Sequence, residues 1–169
     1  MTAPATAFIG LGGNLGDAAT ILRQAMEALK RLPQTRLVRG SRLYRTPAWG
    51  MEQQPDFINA AAMVDTSLCP RALLDALLGI ERDFGRRRDG APRWGPRLLD
   101  LDLLLYADAR IDEPGLTLPH PHLHERAFVL VPLIEIAPDI EIPGHGPARN
   151  AARVLSTDAI HPLEVIIGP

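Results

Sequence analysis

The sequence predicts an α+β fold with a ferredoxin-like βαββαβ core, an antiparallel sheet carrying its helices on one face. Three observations lead there. Short apolar or alternating stretches of strand length are interleaved with two amphipathic stretches of helical period. Two of the strands follow each other with only a loop between them, and the most regular alternation, LLDLDLLLYA, comes after the second helix.

The elements follow in chain order. Ala5 to Leu11 is a short apolar run and reads as the first strand, and GLGGNLGD then reads as a turn in which Asn14 or Asp17 caps a helix. Ile21, Leu22, Ala25, Met26, Leu29 and Leu32 fall on one face of that helix, and Pro33 stops it. Thr35 to Tyr44 alternates as a strand, YRTPAWGMEQQPD is a loop, and Phe57 to Leu68 is the third strand. Pro70 opens the second helix, which places Leu73, Leu77, Ile80 and Phe84 on one face and ends at Gly85. The loop GRRRDGAPRWGPR leads to the fourth strand. Beyond Asp108 the proline-rich remainder predicts a helix near His122 to Ile136, interrupted or kinked at Pro132, and a final strand at Leu163 to Ile167.

With 169 residues the chain has the size of one domain, 1–169, able to bury a core without cross-links. Cys69 is the sole cysteine, so an internal disulfide framework and a multi-cysteine zinc site are excluded. The start MTAPATAFIG has no basic leader and no apolar run reaches the ~20 residues of a membrane span, so the expected location is the cytoplasm. A net charge of −2 argues against a globally basic nucleic-acid binder. Positive charge is nevertheless concentrated locally: Arg86, Arg87, Arg88, Arg93 and Arg97 crowd one short stretch. The planar guanidinium fork suits phosphate oxygens.

Asp100 and Asp102 are two apart on a strand, so both carboxylates face one side while Leu99, Leu101 and Leu103 face the other. Spaced about 7 Å apart along the backbone, they can converge on one magnesium ion or bridge two. An isolated pair of this kind also serves as a charged strand that discourages aggregation. The neighbouring arginines shift the balance toward metal and phosphate, and a nucleotide such as ATP is the natural third party, because magnesium takes few protein ligands beside substrate phosphates. His120, in LPHPH, offers one more hydrogen bond. The glycine run is not a phosphate loop: no Lys-Ser or Lys-Thr follows a spaced glycine pair, and Leu15 stands where G-x-G-x-x-G requires glycine.

RWGPRLLDLDLL, Arg93 to Leu104, resembles the signature of the 6-hydroxymethyl-7,8-dihydropterin pyrophosphokinases of folate biosynthesis. GLGGNLGD, YRTPAWG, QPDFINAA, IERDFGRRR and LPHPHLHERAFVLVPLIEIAPD are similar to further blocks of that family, in its order. The resemblance implies transfer of a pyrophosphoryl group from ATP to the hydroxymethyl group of the dihydropterin, with AMP released and two magnesium ions held by Asp100 and Asp102. It implies that Phe57 and Phe128 stack on the pterin, that Asn59 reads its edge, and that Thr46, Pro47 and Trp49 complete that edge. It places Glu81, Arg86, Arg88, Trp94, Arg97, His120 and Arg126 with ATP, Arg86 and Arg97 beside the reacting phosphates. ATP and the dihydropterin are then the small-molecule partners, with no nucleic acid or membrane.

Two other classes compete. A palm-like nucleotidyl transferase also uses two carboxylates and two metals on such a sheet, but attacks the α-phosphorus and releases pyrophosphate. A single-stranded RNA binder needs a basic face with interleaved aromatics, whereas here the strand is acidic and aromatics are few.

Overall fold

The computed structural model describes residues 3–47, 53–85 and 98–166. Strand β1, Ala5–Gly13, runs at the middle of an antiparallel sheet between β4, Phe57–Thr66, and β5, Asp100–Tyr106. The outer side of β4 pairs with β2, Thr35–Gly40, and β3, Arg42–Thr46, which divide what the sequence suggested as one strand. Ser41 sits at the break, and its hydroxyl accepts from the Ala61 N–H, so the interruption leaves that buried donor satisfied. The backbone of the final strand, β10 (His161–Ile166), pairs with β3. The sheet order is therefore β10-β3-β4-β1-β5, with β2 also on β4.

Helices α1, Ala18–Lys30, and α2, Pro70–Asp83, cover one face. Their Leu22, Met26, Leu29, Leu73 and Leu77 are fully buried against Ala7, Ile9 and Leu11 of β1 and Leu101 and Leu103 of β5. Burying each such side chain contributes about 1.5–3 kcal/mol. The Asp17 side chain caps α1 by accepting from Thr20 N and Oγ1, at 3.2 and 2.8 Å. Pro70 starts α2, and Gly85, at φ +85°, ends it in a conformation that favours glycine.

The expectation that helices occupy one face holds for α1 and α2 only. A turn of 3-10 helix, Leu123–Glu125, leads into α3, Ala127–Ile136, which lies on the opposite face and runs on through Pro132. Its Leu130, Leu133 and Ile136 pack on Phe8, Ala61, Leu104 and Leu105, forming a second core. Short hairpins, β6–β7 (Ile111–Glu113, Leu116–Leu118) and β8–β9 (Glu141–Ile142, Gly146–Pro147), connect the later elements, and α4, Ala148–Arg153, packs beside α3. No described helix is long and apolar enough to cross a membrane.

Candidate active site

The second face of the sheet is covered at one end by α3 and, among the described residues, is open at the other. Pleating brings the residues of four strands into rows across it. Thr46 lies opposite Phe57, Tyr44 opposite Asn59, Asn59 opposite Gly12, and Gly12 opposite Asp100, while Gly10 is flanked by Ala61 and Asp102. Both aspartates therefore face strand positions without side chains. A cavity of about 100 Å³ opens there, floored by Gly10, Gly12 and Asn59 and walled by Thr46, Pro47, Phe57, Arg126, Phe128, Asp100 and Asp102.

This corrects the reading of GLGGNLGD as a turn in its first half; the chain turns only after Gly13, into the helix that Asp17 caps. Gly10, Gly12 and Gly13 are strand residues, and a Cβ on Gly12 would lie 2.9 Å from Asn59 Oδ1. Asn14 does not cap α1. It is buried, and its Nδ2 donates to Gln54 Oε1 and to the Pro55 carbonyl, both at 2.9 Å, tying the end of β1 to the segment that leads to Phe57. The sequence did hold a signal for the glycines: G-x-G has the same two-residue spacing as D-x-D, which places each pair on one face of its strand.

Asn59 is 7% exposed and Thr46 2%, and Asn59 Nδ2 donates to Thr46 Oγ1 at 2.7 Å. That bond orients the amide and leaves it an acceptor oxygen and one N–H with which to read a heterocycle edge. Phe57 and Phe128, both half-buried, contribute aromatic surface from β4 and from the first turn of α3. The Arg126 guanidinium carbon is 5.8 Å from the centroid of the Phe128 ring.

Asp102 also borders a second cavity, of about 280 Å³, lined by Leu74, Leu78, Thr117 and His120 among others. Burial above all, then the Arg126 charge and His122, lower the His120 pKa to about 4, so the ring is neutral at pH 7. His122 N–H donates to its Nδ1 at 3.2 Å, which puts the proton on Nε2 and makes that nitrogen a donor. Glu81 does not line the first cavity. It is buried between α2 and the sheet, where Oε2 accepts the Leu101 N–H at 2.7 Å, fixing the strand midway between the two aspartates. Trp49, Arg86, Arg88, Trp94 and Arg97 fall outside the described residues.

The model of the 7,8-dihydro-6-hydroxymethylpterin-pyrophosphokinase (HPPK) family matches residues 8–138, which span every cavity-lining position named above. The chain belongs to this family. Among HPPK relatives, the 2-amino-4-hydroxy-6-hydroxymethyldihydropteridine pyrophosphokinase of Methylorubrum extorquens is 47% identical over 158 residues, 94% of this chain and 98% of that protein. The pyrophosphokinase of the same name from Pseudomonas aeruginosa is 48% identical over 136 residues, 80% of this chain and 83% of that one. A crystal structure of an HPPK-DHPS in complex with substrates has the same fold, with a TM-score of 0.72 at 14% identity. It matches 90% of this chain, which spans 43% of that longer chain. Wild-type Plasmodium falciparum HPPK-DHPS gives a TM-score of 0.68 at 14% identity, over 89% of this chain and 44% of its own.

Proposed function

We propose that the cavity floored by Gly10, Gly12 and Asn59 receives the dihydropterin, and that Asp100 and Asp102 meet the magnesium-bound phosphates of ATP at its edge. The reaction is that of the HPPK family, transfer of a pyrophosphoryl group from ATP to the hydroxymethyl group of 6-hydroxymethyl-7,8-dihydropterin in folate biosynthesis. The observation that carries the site reading is that the carboxylate pair lines the same cavity as Phe57, Phe128, Thr46 and Asn59.

The donor set fits magnesium. Two carboxylates share one face opposite two glycines, and among the described residues no group of three or more His, Cys, Asp or Glu side chains is gathered to hold an ion. A cation that keeps its waters and takes its remaining ligands from phosphate suits such a sparse set, and we take the pair to hold two ions. Magnesium there would screen the charge that develops on the transferred phosphates and align them with the acceptor.

The chain's own groups supply the rest. Phe57 and Phe128 offer faces for a flat heterocycle, and Asn59, held by Thr46, distinguishes its edge from that of other rings. His120 presents a neutral N–H beside Asp102, suited to a phosphate or ribose oxygen, and the apolar Leu74 and Leu78 suit an adenine ring. Arg126, beside Phe128, and Pro47 complete the wall. Arg86, Arg88, Trp94 and Arg97 are assigned to ATP, and Trp49 to the pterin edge, by the resemblance alone. Strand order β5-β1-β4-β3, with α1 and α2 as the two crossings on one face, supports the ferredoxin-like reading of the core.

The test is product analysis. Protein mixed with magnesium, ATP and 6-hydroxymethyl-7,8-dihydropterin should yield AMP and the pyrophosphorylated pterin in equal amounts. Release of pyrophosphate with a nucleotidylated pterin would replace this reading with the palm-like one.

A further inference from the structure

Helix α3 carries Phe128 in its first turn and is almost wholly apolar: in AFVLVPLIEI, Glu135 is the only polar side chain. Its N-terminus is not closed by a side-chain cap from Arg126. Apolar packing on Phe8, Ala61 and Leu104 holds the helix to the sheet, but it is non-directional and specifies poorly where the helix lies along its neighbours. Directional contacts come at the other end. Glu135 Oε2 accepts the Arg42 backbone N–H at 2.8 Å, Oε1 accepts Arg42 Nε at 2.9 Å, and Oε1 also accepts the Tyr44 hydroxyl. Arg39 Nη1 adds a bond to the Ile136 carbonyl at 3.1 Å.

Arg42, Tyr44 and Thr46 alternate onto one face of β3, the face toward α3. Strand and helix thus lie side by side, joined at the Arg42/Tyr44 and Glu135 end. Thr46 and Phe128 stand at the other end as walls of the acceptor cavity. Tyr44 is 4% exposed and lies opposite Asn59 in the sheet, so the same anchor also abuts the edge-reading residue. We infer that Glu135 is a positioning residue for the acceptor: acting through Tyr44 and Arg42, it fixes α3 along β3 and so sets the gap between Phe128 and the Thr46–Asn59 pair.

Burial tends to raise the Glu135 pKa, but the bonds from Tyr44 and from the Arg42 side chain and backbone outweigh it and hold the carboxyl below its usual range. Burial first, and then Glu135, push the Tyr44 hydroxyl up to about 12. Both partners therefore keep the protonation states this contact requires throughout the neutral range.

The inference rests on the pyrophosphokinase reading, and the experiment separates the two. Initial rates are measured with each substrate varied for wild type, Glu135→Ala, Glu135→Gln, Tyr44→Phe and Val64→Ala, a destabilising control in the opposite core. Glu135→Ala should raise the KM for the pterin about tenfold or more while the KM for ATP stays within about twofold, as misplacing one wall of a site affects what that site holds. Glu135→Gln keeps an acceptor oxygen and should restore most of the affinity, and Tyr44→Phe should fall between. A merely structural role would leave both KM values at the wild-type level and lower only the active fraction, as in Val64→Ala. A pterin KM unchanged in Glu135→Ala overturns the inference, or in Tyr44→Phe if the alanine variant does not fold. Absence of turnover by wild type would instead sink the pyrophosphokinase reading and this inference with it.

Discussion

Gly12→Ala should separate pterin recognition from folding. The added methyl would sit 2.9 Å from Asn59 Oδ1, closer than a carbon and an oxygen normally approach, so the amide must retreat by about half an ångström. Asn59 has little room to do so without disturbing its 2.7 Å bond to Thr46, since both residues are buried. Spoiling one buried hydrogen bond costs about 1–3 kcal/mol, which corresponds to roughly 5- to 150-fold in pterin affinity. Replacing a strand glycine gains about 0.5–1 kcal/mol of backbone entropy, so the net change in stability should be small. Calorimetric titration of the pterin with a nonhydrolysable ATP analogue present, beside a thermal melt, measures both quantities. Gly10→Ala is the contrast: its Cβ would meet the Leu104 δ-carbons at 3.4 and 3.5 Å, contacts that a flexible side chain accommodates, and its effect should be smaller. Wild-type pterin affinity in a folded Gly12→Ala would refute the claim that this glycine exists to make room for Asn59.

Other outcomes follow from the same geometry. Asp100→Asn and Asp102→Asn should each nearly abolish turnover with the melting midpoint largely kept, because on the proposed reading the amide loses the charge that would hold magnesium; a midpoint that collapses with activity would point to a structural role. Glu81→Ala strands the buried Leu101 N–H and should cost about 1–3 kcal/mol by urea titration together with activity, whereas Glu81→Gln, which keeps an acceptor, should retain most of both. His120 binds its proton more weakly in the folded chain, at about 4, than in the unfolded chain, at 6.5. Its contribution is therefore complete above pH 6.5 and is lost as pH falls toward 4, on the order of 3 kcal/mol. Urea midpoints between pH 7 and 4 should fall less steeply in His120→Asn than in wild type, and equal slopes would remove the assignment.

How much of this was legible in the sequence depended on whether a signal was periodic or relational. The alternation of LLDLDLLLYA correctly put Asp100 and Asp102 on one face and Leu99, Leu101 and Leu103 on the other, because pleating is a local property of the strand. The faces of α1 and α2 were equally readable from their spacing. In α3 nearly every position is apolar, so its period could not say which side of the sheet it covers. The glycine run misled for a related reason: glycine is the residue of turns, and only the cross-strand partners Asn59, Asp100 and Asp102 show why it is needed in mid-strand. Phe57, Asn59, Thr46 and Phe128 came from the family resemblance, and they line one cavity. Glu81 came from the same resemblance, and its bond to the Leu101 N–H is a relationship invisible without the fold.

The position of β5 has a consequence for solubility. Among the described strands it has a sheet partner on one side only, and an edge strand rich in leucine invites a second copy of the chain to add to it. Here two of its backbone groups are already engaged, Leu101 N–H by Glu81 and the Leu104 carbonyl by the His120 N–H at 2.9 Å. A buried carboxylate is a stopper that no incoming strand displaces cheaply, and two aspartates on the open face add charge against stacking. The strand that carries Asp100 and Asp102 is thereby also insulated from its own copies, so variants that loosen Glu81 should form strand-paired aggregates at concentrations where wild type remains dispersed.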